Sequence, residues 1–338
     1  MIPPQPFRAA LLGWYDRVRR NLPWRQSSEF YGVWVSEIML QQTRVEAVVP
    51  YYQRFLERFP DVTALARAAE QDVLTAWSGL GYYSRARNLQ RAARKIVAAG
   101  LPGTYEQIMA LPGAGPYTAA AIASIALKLP HAAVDGNVMR VISRLTNDSS
   151  EISLPATRRA FTEKAQRLID PQRPGDFNQA MMELGATTCV PGVPRCGDCP
   201  VNEYCAARRT GTERELPIKV RVQKTRDVRL ELVLLERERA IFLSQRREGE
   251  RRLAGFWELP EKNSIRGIRA RMAAEFSHQI VNDRFRVRIW RAIDPEAVPE
   301  GRWFDLDQAS LVPLTTVTKK ALQAVNLFPA RHAGGQIS

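Results

Sequence analysis

Residues Leu111 to Asp135 read LPGAGPYTAAAIASIALKLPHAAVD, and the rest of the chain is organised around them. A Pro-Gly-x-Gly turn leads into an Ala/Ile-rich helix expected to begin near Tyr117. The pattern breaks at Pro130 and ends on an acidic residue. Pro112, Gly113 and Gly115 allow a tight backbone path that larger residues resist. A helix start beside such a turn offers unpaired amides and the positive end of the helix dipole, so it suits an anion. The same stretch is also readable as a plain turn between two helices.

The 338 residues carry 49 Lys and Arg against 35 Asp and Glu, a net charge of +14. A sequence pI near 10.0 points to a polyanionic partner. The longest apolar run, Ala119–Leu127, stops at Lys128 and Pro130, well short of the roughly 20 residues a membrane span needs. The opening MIPPQPFRAALLGWYDRVRR has no basic region leading into an apolar one, so a cytosolic, membrane-free protein is expected. Histidine occurs only at His131, His278 and His332. That leaves little for His-based metal sites or Ser-His-Asp chemistry, and the mechanism is expected to rest on carboxylates.

From Phe7 to about Gly211 apolar residues recur at helical spacing, as in Phe7–Val18, Val45–Phe59, Val73–Trp77, Ala86–Ala98 and Tyr105–Leu111. Breakers fall at Pro23, Pro50, Pro60, Gly79, Gly81, Gly100 and Pro102. An all-α domain over 1–211 follows. Residues 212–226 are polar and charged and are expected to form a linker. Beyond them the period becomes two: Val228, Leu230 and Leu232, then Phe285, Val287 and Ile289, alternate with charged residues. With Trp303-Phe304 and a helix over Thr316–Val325, residues 227–330 read as a small α+β domain, and 331–338 as a disordered tail.

The four cysteines, Cys189, Cys196, Cys199 and Cys205, lie within 17 residues as C-x6-C-x2-C-x5-C. In a reducing compartment this suits a tetrahedral metal site, zinc included, or an iron–sulfur cluster. Glu37 stands among Val33, Trp34, Val35, Ile38 and Met39. Burial there would raise its pKa toward the range of a general acid; the alternative is an exposed glutamate at a helix start. Asp135 is a second carboxylate. Two carboxylates in unlike surroundings can divide the roles of protonated acid and ionised stabiliser.

Leu-Pro-Gly-x-Gly before a small-residue helix, then Val134-Asp135-Gly136-Asn137 and the 6-2-5 cysteine loop, resembles the helix-hairpin-helix DNA glycosylase superfamily. Across roughly residues 7–325 the chain is most similar to the MutY-type adenine DNA glycosylases. The resemblance implies an all-α core with a [4Fe–4S] cluster on the four cysteines, followed by a nudix-like α+β domain at Leu253-Ala254-Gly255-Phe256-Trp257-Glu258-Leu259-Pro260. The scattered Glu258, Glu261 and Glu275 do not make the clustered metal box that a working nudix hydrolase needs.

The resemblance also assigns roles. It makes Glu37 the acid that protonates departing adenine, Asp135 the cation stabiliser and Asn137 its hydrogen-bonding support. It places Leu40, Gln41, Gln42 and Thr43 in the duplex, Arg25 (with Trp24) near the adenine pocket, and Gly113 and Gly115 on the backbone phosphates. Tyr82 would wedge beside the oxidised guanine, and Phe276-Ser277-His278 would form a loop that reads 8-oxoguanine. Tyr117 stands where bifunctional members carry a lysine, and a phenol forms no Schiff base. Some relatives have a lysine where this chain has Met139, and Lys128 is read as a surface charge. The expected protein is a monomeric, monofunctional enzyme removing adenine opposite 8-oxoguanine or guanine in duplex DNA by base flipping. The alternatives are an endonuclease III-like glycosylase/lyase and a non-catalytic damage-binding protein.

Overall fold

A computed structural model describes residues 2–220, 226–247, 253–265, 267–280, 283–292 and 300–329. Residues 221–225 of the expected linker and the expected tail 331–338 lie outside the described residues. The chain forms two compact units, Met1–Ala68 with Arg87–Arg221, and Ala69–Ala86 with Val222–Ser338. The expected helical domain included Ala69–Ala86. In the structure this segment belongs to the second unit, where Tyr83 packs its ring 4.2 Å from that of Phe256.

Among the described residues, twelve helices precede the strands: α1 (Pro4–Val18), α2 (Phe30–Leu40), α3 (Val45–Arg58), α4 (Val62–Arg67), α5 (Glu70–Ala76), α6 (Ser84–Ala99), α7 (Tyr105–Met109), α8 (Pro116–Ile125), α9 (Gly136–Thr146), α10 (Pro155–Leu168), α11 (Pro174–Thr187) and α12 (Ala206–Thr210). The five helical patterns read from spacing all fall on helices, but Pro50, expected as a breaker, lies inside α3, whose apolar face is anchored by the buried Val48, Tyr52 and Phe55. Helix α8 opens with Pro116 at its first turn, where the missing N–H costs nothing. It is buried at every position from Thr118 to Ile125, so it is a central rather than an amphipathic helix. Its small residues admit close neighbours: a Cβ on Gly175 of α11 would stand 2.8 Å from the Ile125 Cα. Around α9, side chains of α1, α10 and α11, including Phe7, Leu11, Ile142, Phe161 and Phe177, form one apolar core.

Part of the expected linker is not free chain. Leu216 and Glu213 are buried, the Leu216 carbonyl accepts from Arg144 Nε at 3.0 Å, and the Ile218 carbonyl accepts from the Ile152 amide. Polar composition hid an anchored segment, because the anchor is one leucine and two backbone carbonyls.

The second unit holds β1 (Arg226–Leu234), β2 (Glu236–Arg237), β3 (Ala240–Gln245), β4 (Trp257–Glu258), β5 (Ala270–Ile280), β6 (Asp283–Ala292), β7 (Arg302–Asp305), α13 (Leu306–Leu311) and α14 (Thr316–Ala324). One sheet runs β1-β6-β5; a second runs β2-β3-β4, with β7 also on β3. Strand β1 pairs parallel with β6 so that Val228, Leu230 and Leu232 stand opposite Phe285, Val287 and Ile289. The two period-two patterns are therefore one apolar stripe, and its members apart from Val228 pack into the core that holds α14. Among the described residues no helix is long and apolar enough to cross a membrane.

Candidate active site

The turn at Leu111 orients the start of α8. Gly113 has φ +83, and a Cβ there would meet the Asn88 Cβ at 2.8 Å, so this position needs glycine for conformation and for space. Gly115 is different from the tight-path expectation. Its φ is −96, and a Cβ would meet nothing within 4 Å. As the helix N-cap with no side chain, it leaves the α8 amides uncovered, so its use is access rather than conformation.

Glu37 sits inside α2 and is 5 % exposed, which removes the exposed helix-start reading. Two contacts join the end of α2 to the start of α8. The Tyr117 hydroxyl lies 3.1 Å from Glu37 Oε2, and Gln41 Nε2 donates to Thr118 Oγ1 at 3.0 Å. Burial pushes the Glu37 carboxyl up to about 7; the Tyr117 hydrogen bond opposes this and the Asp135 charge adds to it. Burial and the two carboxylates push the Tyr117 phenol well above its ordinary value.

Asp135 is the N-cap of α9. Oδ1 accepts from the Val138 amide at 2.8 Å and Oδ2 from Asn137 Nδ2 at 2.9 Å. Burial raises its carboxyl too, against the lowering by these hydrogen bonds and by Arg140. The helix terminus favours its charged form. The two carboxylates are thus set apart by surroundings: one has a phenol and apolar neighbours, the other a ring of donors.

Glu37, Asp135, Asn137 and Tyr117 line one cavity of about 190 Å³ with Leu40, Thr43, Trp24 and Arg25. It is below the usual size of a pocket for a drug-like ligand and so has room for a single flat ring system. No lysine lines it among the described residues. Lys128 is on the surface at the far end of α8, its Nζ donating to the Ile125 carbonyl at 2.7 Å. Met139 is buried in the core.

Spacing in α11 carried a signal that motif reading passed over. Gln179, Met182, Glu183 and Ala186 follow the i, i+3, i+4, i+7 pattern and form the fourth wall. Glu183 is 1 % exposed and accepts from Arg20 Nε at 2.6 Å and Arg25 Nη2 at 2.8 Å. Burial pushes its carboxyl up, but the hydrogen bonds and charges of Arg20 and Arg25 outweigh this and hold it low. Arg25 is therefore aimed at the cavity by a buried anion.

The carboxylate site connects to the cysteine loop through side chains. Arg140 Nη2 donates to Asn137 Oδ1 at 3.0 Å, and its Nε to the Cys189 carbonyl at 2.7 Å. Buried Arg144 donates to Cys189 Sγ at 3.3 Å and to the Val190 carbonyl at 2.8 Å. Cys189, Cys196, Cys199 and Cys205 are all half-buried, and Cys189, Cys199 and Cys205 pack on the α1–α11 core. Among the described residues no three His, Cys, Asp or Glu side chains form a group that could hold a metal ion. The donor set is purely thiol, with a buried guanidinium beside one sulfur, and it suits a soft metal, zinc included, or an iron–sulfur cluster better than a hard ion.

Other expected DNA-facing residues are found on exposed turns. Gln42 is exposed at φ +57, just past α2, and Thr43 Oγ1 donates to the Gln41 carbonyl at 3.3 Å. Tyr82 is 48 % exposed at φ +48, an unfavourable conformation for an aromatic residue, with the Arg85 guanidinium 5.6 Å from its ring.

Phe276-Ser277-His278 does not form the expected loop; it lies in β5. Successive side chains therefore point to opposite faces. Phe276 packs against the α14 core and His278 Nδ1 lies 3.1 Å from Lys320 Nζ. Ser277 faces the other way, into a pocket of about 500 Å³ with Arg229, Arg284 and Arg286. A loop reading misses this because the alternating pattern is short and includes polar residues on both faces. Glu258 and Glu275 are paired with Arg246 and Arg288.

Residues 35–168 match HhH-GPD, the HhH-GPD superfamily base excision DNA repair protein family. The adenine DNA glycosylase of Homo sapiens is 46 % identical over 222 residues, covering 62 % of this chain and 41 % of the human protein. The chain spans about four-tenths of the length of the mammalian relatives it matches. The adenine DNA glycosylase of Buchnera aphidicola subsp. Acyrthosiphon pisum (strain APS) is 33 % identical over 249 residues, 72 % of this chain and 71 % of that protein. Among solved structures, a thermostable thymine-DNA glycosylase aligns with a TM-score of 0.56 at 27 % identity, over 60 % of this chain and 95 % of that one. A helical core of this kind, two unlike carboxylates in one small cavity and these relatives agree: the chain belongs to the adenine DNA glycosylase family of the HhH-GPD superfamily.

Proposed function

We propose that this chain removes adenine from duplex DNA by hydrolysing its N-glycosidic bond, without cutting the strand. The observation that carries the reading is the buried Glu37 held by Tyr117 in the same cavity as the capped Asp135. A base turned out of the duplex enters the cavity. Glu37 in its acid form donates a proton to the departing base, and the glycosidic electron pair leaves with it. The sugar becomes oxocarbenium-like beside the Asp135 carboxylate, and water adds to it. Arg25, braced by Glu183, holds the base, and the uncovered α8 amides at Gly115 take a backbone phosphate.

Cys189, Cys196, Cys199 and Cys205 would hold a [4Fe–4S] cluster, whose contribution is architectural: it fixes the loop to which Arg140 and Arg144 are tied. In the second unit, Tyr82 would stack beside the opposite base, and Ser277 of β5, beside Arg229 of β1 and Arg284 and Arg286 of β6, would read 8-oxoguanine. Phe276 and His278 hold the strand from the other side. Adenine opposite 8-oxoguanine, and opposite guanine, is the proposed substrate, taken by a monomer.

Asp135→Asn and Glu37→Gln test the roles. Asparagine still caps a helix, and glutamine keeps the volume, so both variants fold. Each is expected to bind the mispaired duplex and to lose most excision; a wild-type rate in either contradicts the assignment. Ser277→Ala is expected to narrow the preference for 8-oxoguanine:adenine over guanine:adenine, and an unchanged preference removes that role. An endonuclease III-like lyase is disfavoured by Tyr117 and by the absence of lysine from the cavity lining among the described residues.

A further inference from the structure

The Tyr117 hydroxyl has two acceptors within reach and one hydrogen to give. Glu37 Oε2 and Met182 Sδ each stand 3.1 Å from it. The phenol is half-buried on the cavity wall, and these are its two protein acceptors. A thioether sulfur can only accept, and weakly, whereas a carboxylate accepts strongly and a neutral carboxyl much less so. The preference of the shared hydrogen therefore depends on whether Glu37 carries its proton.

We propose that Met182 is a positioning residue for the acid: by accepting the Tyr117 hydrogen while Glu37 is protonated, its sulfur keeps Glu37 in the acid form until the base departs. While Glu37 is neutral, the Tyr117 O–H is shared toward Met182 Sδ. When the Glu37 proton moves to the leaving base, the hydrogen swings fully to Oε2 and stabilises the new carboxylate. One proton is transferred and one hydrogen bond changes acceptor; nothing else is needed. Without the sulfur, Tyr117 bonds Glu37 in both states, which favours the anion and weakens the acid. The inference rests on the glycosylase reading of this cavity.

The groups around Glu37 are these. Tyr117 faces it from α8, Asp135 from the α9 cap and Arg25 from the turn at Pro23–Arg25, while α11 supplies Met182 and Glu183, the latter neutralised by Arg20 and Arg25. Asp135 favours the acid form and Arg25 the anion. Both stay in place when Met182 is changed, so a shift on its substitution isolates the sulfur.

The test is single-turnover adenine release from an 8-oxoguanine:adenine duplex across pH for wild type, Met182→Leu, Met182→Gln and Tyr117→Phe, and for Tyr117→Phe combined with Met182→Leu. Leucine matches the volume without an acceptor, and glutamine restores one. In Met182→Leu the fall in rate with rising pH is expected at lower pH, so that release above the midpoint, taken relative to that variant's own low-pH plateau, drops roughly two- to three-fold. Met182→Gln should return the profile to that of wild type, and the Leu change should do nothing in the Tyr117→Phe background. A uniform loss at every pH, an unmoved profile, or the same shift without the Tyr117 hydroxyl overturns the proposal. Wild type that releases no adenine at any pH fails the parent reading; a wild-type profile that Met182→Leu leaves in place fails this one alone.

Discussion

Arg140 Nε donates to the carbonyl of Cys189 at 2.7 Å, while the same guanidinium reaches Asn137 Oδ1 at 3.0 Å. One buried side chain thus ties the cysteine loop to the residue that orients Asp135. A guanidinium replaced here leaves a buried carbonyl and an amide oxygen without their donor, at a cost of about 1–3 kcal/mol for each orphaned group.

Arg140→Gln is therefore expected to keep the helical fold but to lower excision roughly ten- to hundred-fold, as small displacements of reacting groups do. Single-turnover rates and iron content measured on the same sample check this. A normal rate together with normal iron content would break the proposed link.

The Glu37 carboxyl also predicts a trade between stability and activity. Its value rises from 4.5 in the open chain to about 7 when buried. The native state then binds more protons than the unfolded one between these values, so its contribution is fully favourable below 4.5 and is lost as pH rises through 7. Glu37→Gln removes that loss. The variant should be more stable than wild type near pH 8 by an amount on the order of 2–3 kcal/mol, with the difference fading below 4.5. Urea midpoints at the two pH extremes measure it.

Two glycines make opposite predictions. A Cβ at Gly185 would stand 2.7 Å from the Asn137 Cβ and 3.2 Å from its carbonyl. Gly185→Ala should cost about 1–3 kcal/mol and reduce excision by moving Asn137. Gly115→Ala meets no atom and no forbidden φ. Its stability should stay within about 0.5 kcal/mol of wild type. Its methyl group at the uncovered α8 terminus should weaken duplex binding. Thermal midpoints and DNA titrations separate the two.

Removal of the proposed cluster tests the cysteine loop. Arg144 is buried against the Cys189 sulfur and the Val190 carbonyl, so the loop and α9 are expected to loosen together when a bound cluster is stripped. Amide hydrogen exchange should show lost protection at Val138–Leu145 as well as at Cys189–Cys205. Loss confined to the cysteine loop would confine the role of the cluster to that loop.

Much of this site is legible in the sequence, for physical reasons that differ by element. The α8 start, the Asp135 cap and the four cysteines are local patterns, and local chemistry decides them. The stripe of Val228–Leu232 and Phe285–Ile289 was visible as alternation, but its parallel pairing needs contacts between residues far apart. Glu183, Met182 and Arg20 were not visible as site residues, because only helix packing brings them to Glu37 and Asp135. The placing of Phe276–His278 in a strand, and of Leu216 in an anchor beneath a polar stretch, depends in the same way on partners distant in the chain.

The central claim is hydrolysis of the base without strand cleavage, with Tyr117, a phenol that forms no Schiff base, beside Glu37 in the cavity. A duplex with one 8-oxoguanine:adenine pair, incubated under single-turnover conditions and split into alkali-treated and untreated halves, tests it most directly. The account predicts that the adenine strand is cut only after alkali, and that Glu37→Gln abolishes the cut. Cutting without alkali, or no cutting in either half by the iron-loaded protein, would contradict it.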